Sequence, residues 1–286
     1  MAPTSNHSGA VTPTRGVPGT GQARPQLRGE LAIAGLIIVA LLAAVGSSFG
    51  DAEPTTIVPA VGSILEIESG FEREGAGNIV RIFGFDPPVA REVLRPVTKR
   101  RPLPADYRTP GDLAPISTFG VSGPEPVRAI AGEDLAAMNR AASRRLVSES
   151  AYRSIAEQRA LFNDCLAPEL AAGGTRAEAE ARANQTCAFP GQSQHHLGTA
   201  IDFRVVDERG NGNGLGPWLA QHGWEHGFVM SYTVKAAART GYGHEPWHYR
   251  WVGKPLARFL MERRYIDGEL AVDDYLEAIW ESAEFE

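Results

Sequence analysis

Two short stretches of the chain carry the residue types of a hydrolytic metal site. Ser193-Gln194-His195-His196-Leu197-Gly198-Thr199-Ala200-Ile201-Asp202 supplies imidazole and carboxylate, and Glu245-Pro246-Trp247-His248-Tyr249-Arg250 supplies one more of each. A catalytic zinc ion takes three protein ligands and keeps one position for water, whose pKa it lowers to about 7. Two neutral imidazoles and one carboxylate leave such an ion net positive. A further carboxylate can then take the water's proton as a general base.

These groups need elements to hold them. Thr199 to Val206 alternates as a strand, with Thr199, Ile201, Phe203 and Val205 on one face and Ala200, Asp202 and Arg204 on the other. Gly198, just before it, permits a close backbone approach. Residues three apart share a helical face but lie on opposite faces of a regular strand, so Glu245 and His248 need an irregular entry to a strand Trp247–Val252. Pro246 is the candidate for that irregularity. Helices are predicted over Gly132–Leu146, Ile155–Leu166, Leu170–Ala183, Trp218–His226, Leu256–Arg263 and Leu270–Trp280. Short strands are predicted at Ile64–Ile67 and Ile79–Phe83, and Pro87-Pro88, Pro96, Pro102 and Pro104 punctuate the approach to the main domain. The mixed order of elements gives an α+β fold with a small antiparallel sheet and flanking helices.

The pattern Ser-x-His-x-x-Gly-x-Ala-x-Asp followed by Glu-x-Trp-His resembles the VanY-like D-alanyl-D-alanine carboxypeptidase family of zinc peptidases. Tyr152-Arg153-Ser154 with Gln158, and Gly241-Tyr242, extend the resemblance, which covers about residues 97–280. It implies that His195, Asp202 and His248 are zinc ligands, that Glu245 is the catalytic base and that Arg153 contacts substrate. Ser154, Gln158 and Ser193 are expected as polar contacts to substrate or to the ligands, and Trp247 and Tyr249 as packing residues. A fixed guanidinium at Arg153 suits either a tetrahedral oxyanion or a substrate carboxylate. The implied reaction is removal of the terminal D-alanine from peptidoglycan stem peptides. An L,D-carboxypeptidase or an endopeptidase shares the same motifs, whereas a non-catalytic peptidoglycan sensor would be expected to show a damaged base or ligand.

His222-Gly223-Trp224-Glu225-His226 also spells the inverted zincin pattern His-x-x-Glu-His. Gly223 weakens the helix that pattern requires, and Gly227 ends it. His196 and His244 flank the proposed ligands and are expected behind them at most.

The 286 residues suffice for one good-sized domain with appendages. The formal net charge is −6, and because the first 50 residues carry +2 the remainder carries −8. This acidic body has no nucleic-acid footprint. Residues 1–29, rich in Pro, Gly, Ser and Thr, read as a disordered cytoplasmic tail. Leu31 to Gly50 is free of charge and, at ~1.5 Å per residue, would span a bilayer core as a helix of about 30 Å. Residues 30–50 therefore read as a transmembrane anchor. Arg15, Arg24 and Arg28 before it place the N-terminus inside and the rest outside a bacterial cytoplasmic membrane. Ala44-Val45-Gly46 offers the alternative of signal-peptide cleavage, which exports the body equally. Residues 51–96 read as a stalk or small accessory region, and 97–286 as the catalytic domain. In an oxidising compartment the two cysteines, Cys165 and Cys187, are expected to form a disulfide.

Overall fold

The computed structural model describes residues 71–74, 79–207, 209–267 and 271–283. The tail, the apolar run Leu31 to Gly50 and the strand expected at Ile64–Ile67 lie outside the described residues. Among the described residues no helix is long and apolar enough to cross a membrane.

Strands β1 (Phe71–Glu74) and β2 (Ile79–Ile82) form an antiparallel hairpin. Helix α1 (Pro87–Val93) follows, with proline at its first positions, where an amide hydrogen has no helical partner anyway. Pro87-Pro88 thus opens a helix instead of a linker. Ile82, Phe83, Ala90, Val93 and Leu94 all join the main hydrophobic core. The described end of the expected stalk therefore belongs to the domain, and a boundary at residue 96 would cut through its core.

Strands β3 (Leu113–Pro115) and β4 (Pro126–Arg128) pair antiparallel, and α2 (Gly132–Ala141) packs behind them through Leu135 and Met138. That helix is shorter than predicted, because Ala142 already has extended backbone. Next come β5 (Ser148–Ser150) and α3 (Ile155–Ala171), the latter opened by a Ser154–Glu157 capping box. The helix expected over Leu170–Ala183 is divided in two. Gly173 and Gly174 take φ of +93° and +95°, and Thr175 caps a new helix, α4 (Arg176–Ala183). Phe162 and Leu166 of α3 meet Ala179 and Ala183 of α4 in a small core of their own, with Phe189 against it. The disulfide between Cys165 and Cys187 closes this unit.

The strand β6 (Ala200–Phe203) leads to α5 (Leu215–His222), a 3₁₀ turn at Gly223–His226, β7 (Phe228–Met230), the short α6 (Ala237–Thr240) and β8 (His248–Trp251). Helices α7 (Lys254–Asp267) and α8 (Val272–Ser282) complete the domain. The central sheet has the order β5-β6-β8-β7, antiparallel throughout. Ile201, Phe203, Phe228, Tyr249 and Trp251 enter the main core with Leu276 and Ile279 of α8. This mixed fold with small antiparallel sheets matches the expected class.

Candidate metal centre and catalytic cleft

Sheet register makes the first half of the site. Asp202 of β6 pairs with His248 of β8 on one side and with Ser150 of β5 on the other. Directly opposed residues present their side chains on the same face, about 5 Å apart. His248 Nδ1 accordingly lies 2.9 Å from Asp202 Oδ1.

His195 arrives from the 3₁₀ turn Gln194–Leu197, which Ser193 caps by accepting a hydrogen bond from the His195 amide. Gly198 ends the turn at φ +68°, and a Cβ there would stand 2.9 Å from Leu113 Cδ2. Only glycine fits both that backbone and that contact. The turn brings His195 Nε2 to 3.3 Å from Asp202 Oδ2.

The irregularity between Glu245 and His248 is a β-turn. The His248 amide donates to the Glu245 carbonyl at 3.2 Å, with Pro246 following Glu245 at the position where its fixed φ suits a turn. Strand β8 begins only at His248, so Glu245 escapes the strand alternation. Its carboxylate turns back to 3.8 Å from His248 Nδ1.

Hydrogen bonds fix which nitrogen of each imidazole is free. His195 Nδ1 lies 2.6 Å from the Ala151 carbonyl, which can only accept, so Nε2 carries the lone pair. His248 Nε2 lies 3.1 Å from Gln194 Oε1, and Gln194 is oriented by its own Nε2 donating to Asp273 Oδ2 at 2.9 Å. The lone pair of His248 is therefore on Nδ1. Both lone pairs face the Asp202 carboxylate, and one ligand atom from each of the three residues lies within 4.8 Å of the others. Such a convergence of acceptors repels itself unless a cation or a proton occupies it. Two imidazole nitrogens, one carboxylate oxygen and an open cleft fit a catalytic divalent metal of the zinc type.

The two carboxylates are driven in opposite directions. Burial opposes ionisation of Asp202, yet His195 and His248 together outweigh it and hold the carboxyl well below its usual range. For Glu245 burial prevails over the single nearby His248, with Asp202 adding repulsion, and its pKa is pushed up to about 7. A carboxyl poised there is suited to exchange protons near neutral pH.

Arg153 lines the same cleft, along with Gln158, Ser193, Glu245 and Trp247. Its guanidinium donates to Gln158 Oε1 at 2.8 Å and to Ser150 Oγ, while Gln158 Nε2 donates to the Ala188 carbonyl at 2.7 Å. Both of these hydrogen-bond partners are neutral, and neither compensates the guanidinium charge. Ser154 is placed otherwise. Its hydroxyl is engaged with Glu157 in the capping box of α3, and it does not line the cleft. Both nitrogens of His196 are also engaged: Nδ1 donates to the Arg153 carbonyl at 2.7 Å, and Nε2 accepts from the Gly191 amide at 3.1 Å. His244 Nδ1 reaches the Tyr232 carbonyl at 3.1 Å. His222 pairs with Glu225, and neither it nor His226 joins a metal-capable cluster among the described residues. Gln194, Ser231 and Asp273, which stand behind His248, were not among the sequence candidates. Gln194 lies inside the first motif, but nothing in the spacing connects it to Asp273.

The model of the family described as VanY, D-alanyl-D-alanine carboxypeptidase, matches residues 125–254. The putative carboxypeptidase YodJ of Bacillus subtilis is 30% identical over 204 residues, covering 65% of this chain and 68% of that protein. The chain belongs to the VanY-like D-alanyl-D-alanine carboxypeptidase family. A D-alanyl-D-alanine carboxypeptidase of Enterococcus faecalis is 36% identical over 104 residues, a match spanning 36% of this chain but only 39% of that relative. Among solved structures, a mutant of the vancomycin-resistance D,D-pentapeptidase VanY in complex with Zn(II) superposes with a TM-score of 0.55 at 30% identity, covering 65% of this chain and 99% of that one. The LD-carboxypeptidase LdcB gives 0.53 at 26% identity, covering 73% and 94%. The VanY-like match contains Arg153, Glu245 and the three residues of the candidate metal centre, His195, Asp202 and His248, but ends before α8.

Proposed function

We propose that the chain is a zinc-dependent carboxypeptidase that removes the C-terminal D-alanine from peptidoglycan stem peptides. The observation that carries this reading is the convergence of the His195 and His248 lone pairs on Asp202, with Glu245 beside them. His195 Nε2, an Asp202 oxygen and His248 Nδ1 would hold the ion. When bound, zinc supplies Lewis acidity toward a water and the scissile carbonyl. Glu245 accepts the proton of the attacking water and returns it to the leaving amine, which regenerates the carboxylate. Arg153, braced by Gln158 and Ser150, binds either the terminal carboxylate of the stem or the oxyanion. Ser193 adds a polar group on the cleft wall. Leu31 to Gly50 would anchor this domain to the outer face of a bacterial cytoplasmic membrane, where its substrate lies.

The similarity to an LD-carboxypeptidase favours one second reading, release of D-alanine from a tetrapeptide stem. A test separates the two. The purified full-length chain with zinc is given synthetic pentapeptide and tetrapeptide stems, and the products are weighed. Loss of one D-alanine from the pentapeptide alone supports the proposal. Cleavage of the tetrapeptide alone selects the second reading, and cleavage of neither contradicts both.

A further inference from the structure

The metal-centre residue His248 is connected to the C-terminal helix by a chain of buried hydrogen bonds. His248 Nε2 donates to Gln194 Oε1 at 3.1 Å, and the same oxygen accepts from Ser231 Oγ at 2.7 Å. Gln194 Nε2 in turn donates to Asp273 Oδ2 at 2.9 Å. Asp273 lies in the first turn of α8, 79 residues from Gln194, and its other oxygen faces Arg250 Nη1 at 3.4 Å. Arg250 has no exposed surface and also donates to the carbonyls of Val93 and Arg95 at 2.9 and 2.7 Å.

This arrangement removes an ambiguity that a glutamine otherwise has. An amide can be turned over, offering NH₂ where the oxygen should be. If Gln194 turned over, its NH₂ would face His248 Nε2, and its oxygen would face the Asp273 carboxylate. His248 would then have to hold its proton on Nδ1, the nitrogen that faces Asp202. Asp273, by accepting only, keeps the amide oxygen on His248 and leaves Nδ1 free for a metal. Ser231 reinforces the same orientation.

We propose that Asp273 is a positioning residue for the metal centre, acting through Gln194 to fix the tautomer and orientation of His248. This rests on the zinc reading above and extends it to a helix outside the stretch that the family model matches. The partners of metal-bound histidines commonly change metal affinity by 10–100-fold when removed.

The test is zinc affinity of the full-length chain, measured by competition with a chromophoric chelator, with circular dichroism as the check on folding. Asp273→Leu and Gln194→Leu are each expected to weaken zinc binding by roughly 10–100-fold, and the double variant no further than Gln194→Leu alone. Asp273→Asn has one accepting oxygen where Gln194 and Arg250 use two, so it is expected to recover only part of the affinity. If Asp273→Leu fails to fold because it strands Arg250, the pair Asp273→Leu with Arg250→Met removes the unpaired buried charge and carries the same expectation. Wild-type chain that takes up no zinc overturns the metal reading and the relay with it. Wild-type zinc binding, lost in Asp202→Ala, beside unchanged affinity in Asp273→Leu overturns the relay alone. So does an Asp273→Leu penalty that adds in full to that of Gln194→Leu, because Asp273 would then act through the general fold.

Discussion

The roles proposed for Asp202 and Glu245 divide along the surroundings of the two carboxylates. Asp202 lies between two imidazoles and is held ionised, as a metal ligand must be. Glu245 is buried beside only one of them, at 3.8 Å, and burial lifts it from an ordinary 4.5 to about 7. Environments that push two carboxyl pKa values apart separate ligand from acid–base catalyst. A dication at the neighbouring trio favours the carboxylate and draws Glu245 back down. As the proposed base, Glu245 works only when deprotonated, so kcat/KM should fall as pH drops through a midpoint below about 7. A stopped-assay pH profile with its acid midpoint above 7 would contradict this assignment.

At the scale of elements, a cap and a disulfide support the cleft from outside it. Ser154 begins α3 and holds the Glu157 carboxyl below its ordinary range through hydrogen bonds from its hydroxyl and its amide. A carboxyl so lowered contributes stability above its unfolded pKa, and that contribution is lost as pH falls. Ser154→Ala should cost about 1 kcal/mol in urea unfolding at neutral pH, and less in acid, while kcat/KM stays unchanged. A large loss of kcat/KM would return Ser154 to the substrate site. The disulfide partner Cys187 lines the cleft, and the next residue, Ala188, accepts from Gln158, which holds Arg153. Reduction should therefore lower kcat/KM several-fold with zinc content unchanged. A fall in thermal stability with the same kcat/KM would limit the disulfide to stability.

Legibility in the sequence followed the range of the interactions. Asp202 could be placed opposite an apolar row because strand alternation is local, and the three metal-centre residues occupy motifs of short spacing. The Glu245–His248 turn was only half legible: Pro246 marked an irregularity, but its form depends on a backbone bond to His248. Pro87-Pro88 reads equally as linker or helix start, and what decides is the core contact of Ala90 and Val93. The break at Gly173-Gly174 was obscured by the Ala/Glu-rich composition on both sides. Ser154 belongs to a motif beside Arg153, and its capping role follows from Glu157 three residues on, a local signal outweighed by the resemblance. Asp273 had no signal, since its contact with Gln194 is fixed only when α8 docks on the sheet.

Across the whole molecule, one core carries the sheet, and the C-terminal helix belongs to it. Val272, Leu276 and Ile279 of α8 are buried with Phe203, Phe228 and Tyr249. Leu276→Ala should cost about 2–5 kcal/mol in chemical denaturation, and a cost below about 1 kcal/mol would show that α8 is peripheral. The small α3–α4 core is separate from the main one, and Gln158, Leu161 and Cys187 beside it line the cleft, so global stability and substrate binding should respond to different substitutions. The central claim joins a zinc ion at His195, Asp202 and His248 to proton transfer by Glu245. Its most direct test is the rate of D-alanine release from a pentapeptide stem by wild type and Glu245→Gln, each with its bound zinc measured. The account predicts equal zinc content and a kcat lower by about 10²–10⁴-fold in the variant. Equal zinc with an undiminished kcat would contradict it.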